Sequence, residues 1–227
     1  MTAALAILAA GSALRAGTDK VTADLGGTPV LLWSLAAGEA SGAFDEIVVI
    51  APPSRGAAIQ QLVGRRARVV AGGATRTASS WAALDATPDA EVLAIHDAAR
   101  PFAPPSLFSR LVTVARETGS AVAGLPVADT VRRANEIGEA GGEVDREGLW
   151  SAQTPQVFRR DVLLRARAAA GDRSYTDDAA AVTAAGISVR MVPGERRNLK
   201  ITTFEDLAYA RELVDCGMAA IVAVGVR

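Results

Sequence analysis

Three stretches of this 227-residue sequence combine residue types and spacing that could do chemistry. In Ala9-Ala10-Gly11-Ser12-Ala13-Leu14-Arg15-Ala16-Gly17-Thr18-Asp19-Lys20, an apolar run breaks into small residues and then offers two cations. Small residues at the end of a strand present backbone N–H groups, and positive charge beside them makes a seat for phosphate. In Gly72-Gly73-Ala74-Thr75-Arg76-Thr77-Ala78-Ser79-Ser80, two glycines let a flat ring approach the backbone, and the Ser79 hydroxyl could hydrogen-bond a base edge. In His96-Asp97-Ala98-Ala99-Arg100-Pro101, an acid and a guanidinium follow an apolar run, at the strand end where open α/β sheets bind ligands. The plain alternatives are a tight turn, a strand-to-helix turn and a weak local ion pair. His96 reads as a partly buried strand-end residue rather than a catalyst.

Two familiar glycine-rich turns do not fit the first stretch. The dinucleotide fingerprint needs G-x-G-x-x-G and an acid about 20 residues on. Here Ala13 and Ala16 occupy the later glycine positions, and the second strand runs into Ala51 with no acid. The P-loop needs glycine and lysine adjacent before Ser or Thr, whereas Gly17 is followed by Thr18-Asp19-Lys20.

The elements that must position these residues alternate. Apolar strands are expected over 5–8, 46–50, 69–71, 92–95 and 121–127. Helices are expected between them: after Thr28-Pro29, from Ser54 through Leu62, around 81–84, and from Pro104-Pro105-Ser106 to Gly119. That order predicts an α/β, Rossmann-like, doubly wound and mostly parallel sheet in a single domain of residues 1–227. Residues 129–150 break the pattern. They are polar, with Gly138, Gly141 and Gly142 near the middle, and read as a β-arm leaving the domain. A lone two-stranded ribbon is marginal, so a second copy of the chain is expected to hold it in a homodimer. The chain returns over 152–158 and continues into a helix capped by Asp161, a helix opened by Tyr175-Thr176-Asp177-Asp178, and a strand over 189–192. A short strand over 198–202 then leads into a Thr203/Asp206 capping box.

Composition narrows the function classes. With 24 basic and 25 acidic residues there is no global field for nucleic acid or an anionic membrane, so any phosphate site must be local. A single cysteine, Cys216, rules out an intrachain disulfide and a cysteine metal cluster, and fits a reducing, cytoplasmic setting. Residues 3–10 and 218–226 are apolar but too short to span a bilayer.

With these stretches in place, the sequence resembles the 2-C-methyl-D-erythritol 4-phosphate cytidylyltransferase family from Ala9 to about Leu213. The resemblance rests on His96-Asp97-Ala98-Ala99-Arg100-Pro101, Asp129-Thr130, Asp145-Arg146 with Gly148-Leu149-Trp150, Thr154-Pro155-Gln156, Thr176-Asp177-Asp178 and Lys200-Ile201-Thr202. It implies a Rossmann-like sheet with a dimerising β-arm, CTP and a branched polyol phosphate as substrates, and magnesium carried largely by the triphosphate. It also implies roles. Ala9, Ala10 and Gly11 would line the nucleotide, with Gly73, Ala74 and Ser79 facing the cytosine. Arg15, Lys20 and Lys200 would hold the triphosphate. Asp97, Arg100, Thr130 and Lys200 would position the polyol phosphate. Arg146, Thr154 and Thr176 would complete that pocket, Arg146 and Thr154 arriving from the partner's arm.

The implied chemistry suits this inventory. A phosphate monoester is already ionised at neutral pH, so its attack on an α-phosphorus needs no general base. What it needs is positive charge against the developing pentavalent centre and the leaving pyrophosphate. The first loop departs from the family pattern: Ala13 stands in place of a glycine, Asp19 in place of a proline, and the stretch from Arg15 to Lys20 is shorter. An alanine held at positive φ costs about 1 kcal/mol. Two other readings therefore stay open: a cytidylyltransferase for another polyol phosphate such as ribitol 5-phosphate, and a catalytically weakened dimeric paralogue with a binding role.

Overall fold

All six residues of the first strand, β1 (Ala3–Leu8), are buried, as expected of a strand covered on both faces. Such a strand belongs inside a sheet. The computed structural model describes residues 1–10 and 20–219 and places it there. After β1 come the short pair β2 (Asp24–Leu25) and β3 (Thr28–Pro29), then α1 (Val30–Ala40), β4 (Glu46–Ala51), α2 (Gly56–Val63), β5 (Arg68–Ala71), α3 (Arg76–Ala86), β6 (Val92–Asp97), α4 (Pro105–Thr118) and β7 (Ser120–Pro126). The hairpin strands β8 (Val131–Ala134) and β9 (Ala140–Val144) follow, then β10 (Trp150–Arg159), α5 (Arg160–Ala170), α6 (Asp178–Ala184), β11 (Met191–Pro193) and α7 (Phe204–Asp215).

The main sheet is ordered β11-β7-β10-β6-β1-β4-β5. Strand β1 pairs parallel with β4 and β6, β4 with β5, and β7 with β11. Strand β10 runs antiparallel between β6 and β7, so the sheet is mixed and mostly parallel. The chain winds from β1 through β4 to β5, then crosses back to β6 on the other side of β1. That reversal opens a crevice at the carboxyl ends of the strands, where such sheets bind ligands.

Alternation along β1 divides the core between the two faces. Leu5 and Ile7 join Leu35 of α1, Ile59 of α2 and Phe108 of α4. Ala4, Ala6 and Leu8 join Leu84 of α3, Leu163 of α5 and Val182 of α6. Helix α1 can lie close to β1 because of Gly38, where an added Cβ would meet Leu5 Cδ2 at 2.3 Å. A smaller cluster of Leu25, Val30, Trp33, Ile201, Leu207 and Ala210 anchors α7 and the segment before it. This cluster holds the chain on either side of Lys200.

The predicted α/β order is observed, with local differences. Residues 198–202 form no strand: Asn198 is buried, and Ile201 N–H bonds the Ala99 carbonyl singly at 2.8 Å. Side-chain anchoring replaces a ladder there. The last strand is Met191–Pro193 rather than 189–192. Helix α5 starts at Arg160, with Asp161 inside its first turn paired to Arg159 rather than capping it. Ser54 sits in a 3-10 turn, and α2 begins at Gly56. The Thr203/Asp206 capping box is present. The expected hairpin forms within 129–150, its turn closed by Asn135 Oδ1 accepting from Ile137 N and Glu139 N. Ile137 at the tip is 79 % exposed. Among the described residues, no helix is long and apolar enough to cross a membrane.

Candidate active site

Asp97 is the last residue of β6, and the crevice is built around its carboxylate. Lys200 Nζ lies 2.7 Å from Asp97 Oδ2. Arg100 Nε lies 3.9 Å from the same oxygen, and Arg76 Nη2 is 3.5 Å from Asp97 Oδ1. Arg76 also pairs at 2.9 Å with Asp178, which is 3 % exposed at the first residue of α6. Cations from three separated stretches of sequence thus converge on one acid. Burial alone would raise the Asp97 pKa, but Lys200, Arg76 and Arg100 outweigh it and hold it at about 2. Burial opposes the charge on Arg76, and Asp178 and Asp97 more than offset it. Burial lowers the Arg100 pKa, against the pull of Asp97.

Behind this cluster the side chains of His96, Thr154 and Asn198 are hydrogen-bonded, with Asn198 Oδ1 left unpaired among the described residues. His96, expected to be partly buried, is 0 % exposed and packs edge-on to Phe108 with centroids 5.0 Å apart. Burial pushes its pKa down to about 4, against the attraction of Asp97. Thr154 Oγ1 accepts the Asp97 N–H at 3.0 Å and lies 3.1 Å from His96 Nδ1. Asn198 Nδ2 donates to the Thr154 carbonyl at 2.8 Å and to Gln153 Oε1 at 3.2 Å.

A polar cavity of about 210 Å³ opens onto Arg76, Asp97, Arg100, Thr154, Thr176 and Lys200. Five of these six were predicted from sequence as site residues. A larger cavity of about 760 Å³, lined by Trp33, Phe102 and Leu213, holds none of the predicted site residues. The small, charged cavity has the chemistry.

Lys20 comes from the other end of the chain to the segment that carries Lys200, its ammonium donating to the Thr202 carbonyl. Ala9 is buried and its N–H is bonded to the Ile50 carbonyl at 2.8 Å, which leaves Ala10 at the opening. Ala10 meets the second turn, since a Cβ on Gly72 would lie 2.9 Å from Ala10 Cβ and 3.0 Å from Ser79 Oγ. Gly73 is required by its own turn, where a Cβ would meet Ala78 Cβ at 2.4 Å. Ala74 is exposed. Ser79 is buried and donates to the Thr75 carbonyl at 2.9 Å, so its proton braces the turn. Gly11 and Arg15 lie outside the described residues, as do Ala13 and Asp19.

Sequence reasoning misplaced Thr154. It does not arrive on a partner's arm: β10 inserts beside β6, and Thr154 is buried under Asp97 of its own chain. Thr130 and Arg146 are exposed and do not line the cavity, and the Arg146 guanidinium donates to the Ala128 carbonyl. Arg76 was not singled out, although a cation just after Thr75, which caps α3, at a strand's carboxyl end was a usable signal. Among the described residues no group of three His, Cys, Asp or Glu could hold a metal ion. The acid at the centre is already neutralised by side-chain cations.

Comparison with known proteins bears on the same residues. The profile of the IspD family, 2-C-methyl-D-erythritol 4-phosphate cytidylyltransferase, matches residues 3–215. A bifunctional enzyme IspD/IspF of Anaeromyxobacter sp. (strain Fw109-5) is 46% identical over 225 residues, covering 94% of this chain and 58% of the relative. The chain therefore spans little more than half the length of that relative. The 2-C-methyl-D-erythritol 4-phosphate cytidylyltransferase of Deinococcus radiodurans is 45% identical over 216 residues, covering 93% of this chain and 89% of the relative. The crystal structure of the enzyme of that name from Thermus thermophilus superposes with a TM-score of 0.81 at 34% identity, covering 95% of this chain and 100% of that one. Since the match takes in Asp97, Arg100, Thr154 and Lys200, the chain belongs to the 2-C-methyl-D-erythritol 4-phosphate cytidylyltransferase family.

Proposed function

We propose that this chain transfers CMP from CTP to 2-C-methyl-D-erythritol 4-phosphate and releases pyrophosphate, a step in isoprenoid precursor synthesis. The observation that carries this reading is the Lys200–Asp97 pair at 2.7 Å, set among Arg76 and Arg100 with Lys20 beside Thr202. It puts positive charge at the crevice where a nucleotide and an acceptor would meet.

Ala9, Ala10 and Gly11 line the nucleotide, and Gly73 and Ala74 offer backbone to the base over Ser79. Asp97, Arg100 and Lys200 orient the acceptor phosphate, with Thr176 at the rim and Thr154 in the wall behind. The acceptor arrives ionised, so the protein's task is alignment and charge rather than proton removal. Arg15, Lys20 and Lys200 stabilise charge on the α-phosphoryl group and the departing pyrophosphate. Magnesium enters with the triphosphate as part of the substrate, since this ion is usually held by substrate phosphates and water with one or two carboxylates rather than by an all-protein cage.

Residues 1–227 act as one nucleotidyltransferase domain, and the arm pairs two copies. Exposure of Thr130 and Arg146 away from their own cavity supports their delivery to a partner's site. The balanced charge supports small-molecule rather than nucleic-acid or membrane partners, and the lone cysteine suits the cytoplasm.

The test is pyrophosphate release with CTP and magnesium, run with 2-C-methyl-D-erythritol 4-phosphate, with ribitol 5-phosphate and with no acceptor. Release only with the first acceptor is expected. Release only with ribitol 5-phosphate would reassign the acceptor, and silence in all arms would support a binding role.

A further inference from the structure

Four hydrogen bonds close a ring behind the acceptor pocket. His96 Nε2 lies 3.2 Å from the Arg100 carbonyl oxygen. Arg100 Nη1 donates to the Asn198 carbonyl at 2.7 Å, and Asn198 Nδ2 donates to the Thr154 carbonyl at 2.8 Å. The Thr154 hydroxyl, 3.1 Å from His96 Nδ1, completes the circuit.

Chemistry fixes the direction of every proton in this ring. A carbonyl oxygen only accepts, so the bond to Arg100 requires a proton on His96 Nε2. A second proton on Nδ1 would make a buried cation. Burial and the positive charges of Arg100 and Lys200 oppose it, against the attraction of Asp97. The Phe108 ring, packed against the imidazole from α4, brings no charge. Nδ1 is then an acceptor, and among the described residues the donor facing it is the Thr154 hydroxyl. That hydroxyl has already accepted the Asp97 N–H at 3.0 Å.

We infer that His96 is a positioning residue. As the Nε2–H tautomer it claims the Thr154 hydroxyl proton, so Thr154 locks the main chain of Asp97 instead of donating to the acceptor phosphate. The sheet shows why a lock is needed. The β6–β10 register ends at the Ile95–Gln156 pair, and beyond it the Thr154 side chain stands in for a ladder carbonyl toward Asp97. The same ring holds Arg100 through its own carbonyl and its guanidinium. A slack ring would therefore loosen both groups that orient the acceptor. The effect on turnover rests on the reaction proposed above, but the ring itself does not.

His96 is the sole histidine, so nitrogen-15 labelling of histidine reports one ring without assignment. At neutral pH the spectrum should show a protonated Nε2 and a bare, hydrogen-bonded Nδ1. Thr154→Val should move the Nδ1 resonance toward its unbonded position, speed solvent exchange of the Asp97 amide, and lower kcat/KM for the acceptor about tenfold. Thr154→Ser should recover all three. An Nδ1–H tautomer in the wild-type protein overturns the inference even if the variants fail to fold. So does a Thr154→Val protein with unchanged Nδ1 resonance and Asp97 exchange, or one that loses both with kcat/KM intact. A wild-type protein with the expected resonances and no turnover would instead refute the proposed reaction, with the amide exchange still reporting the lock.

Discussion

Lys200 and Asp97 share an ion pair at 2.7 Å in which the lysine side chain is 41 % exposed and the aspartate 12 %. The acid is fixed in the wall while the ammonium stands at the solvent edge, where the proposed reaction would bring a phosphate. Lys200→Ala should leave the fold intact and reduce pyrophosphate release by about 10²–10³-fold, the scale of removing one preorganised transition-state donor. Circular dichroism and a steady-state assay check the two halves. Undiminished turnover would sink the mechanism.

Arg76 and Asp178 make a different kind of pair. Asp178 is 3 % exposed and Arg76 bridges it to Asp97, so removing the guanidinium strands a buried charge. Arg76→Met should cost about 3 kcal/mol of stability in urea unfolding. Adding Asp178→Asn should recover part of that loss, because the stranded charge goes with it. Equal stability of the single and double variants would show that Asp178 gains nothing from the pair.

How much of this was legible in sequence depended on what kind of information each feature carries. Apolar runs ending in small or charged residues marked β1 and β6, and with them Asp97, Arg100 and the turn at Ala10, because a buried strand writes its burial into its own residues. Strand β5, a half-exposed edge strand before Gly73, was marked instead by its β-branched Val69-Val70 pair. Partner choice is not written that way. Nothing in residues 150–159 says that they insert antiparallel between β6 and β7, and Pro155 argues against a central strand; the register shift between Ala152 and Gln156 accommodates it. Thr154 was therefore assigned to a partner's arm, and its contact with His96 was invisible. The segment before α7 looked like a strand because Ile201 is apolar, yet it is held by the Asn198 side chain and by packing against Trp33 and Leu207. Arg76 went unmarked because its meaning comes from Asp178, far along the chain.

Acidification should destabilise the fold in two stages. His96 titrates at about 4 in the folded chain against an ordinary 6.5, so the unfolded chain binds the proton first. Its contribution is complete above pH 6.5 and is lost as pH falls from there toward 4. Asp97, held at about 2 against 3.8, stays ionised in the folded chain. Its contribution is present above pH 3.8 and is lost as pH falls toward 2. Each such proton tilts stability by about 1.4 kcal/mol per pH unit. Urea unfolding at a series of pH values should show the first slope in the wild-type protein and a flatter one in His96→Asn. An equal slope in both would place the titrating group elsewhere.

The arm can be tested by letting two defective proteins repair each other. If Arg146 serves the partner's site while Lys200 serves its own, a mixed dimer of Lys200→Ala and Arg146→Ala chains contains one site with both residues intact and one with neither. Each variant alone should be nearly inactive. Unfolded together and refolded, half of the dimers are mixed, so activity should return to about a quarter of the wild-type value. The turn at Ile137, 79 % exposed, supplies the control: Ile137→Asp should weaken dimerisation in sedimentation and reduce the regained activity in proportion. If Arg146 acted within its own chain, mixing would restore nothing, because every Arg146→Ala site and every Lys200→Ala site would keep its own defect.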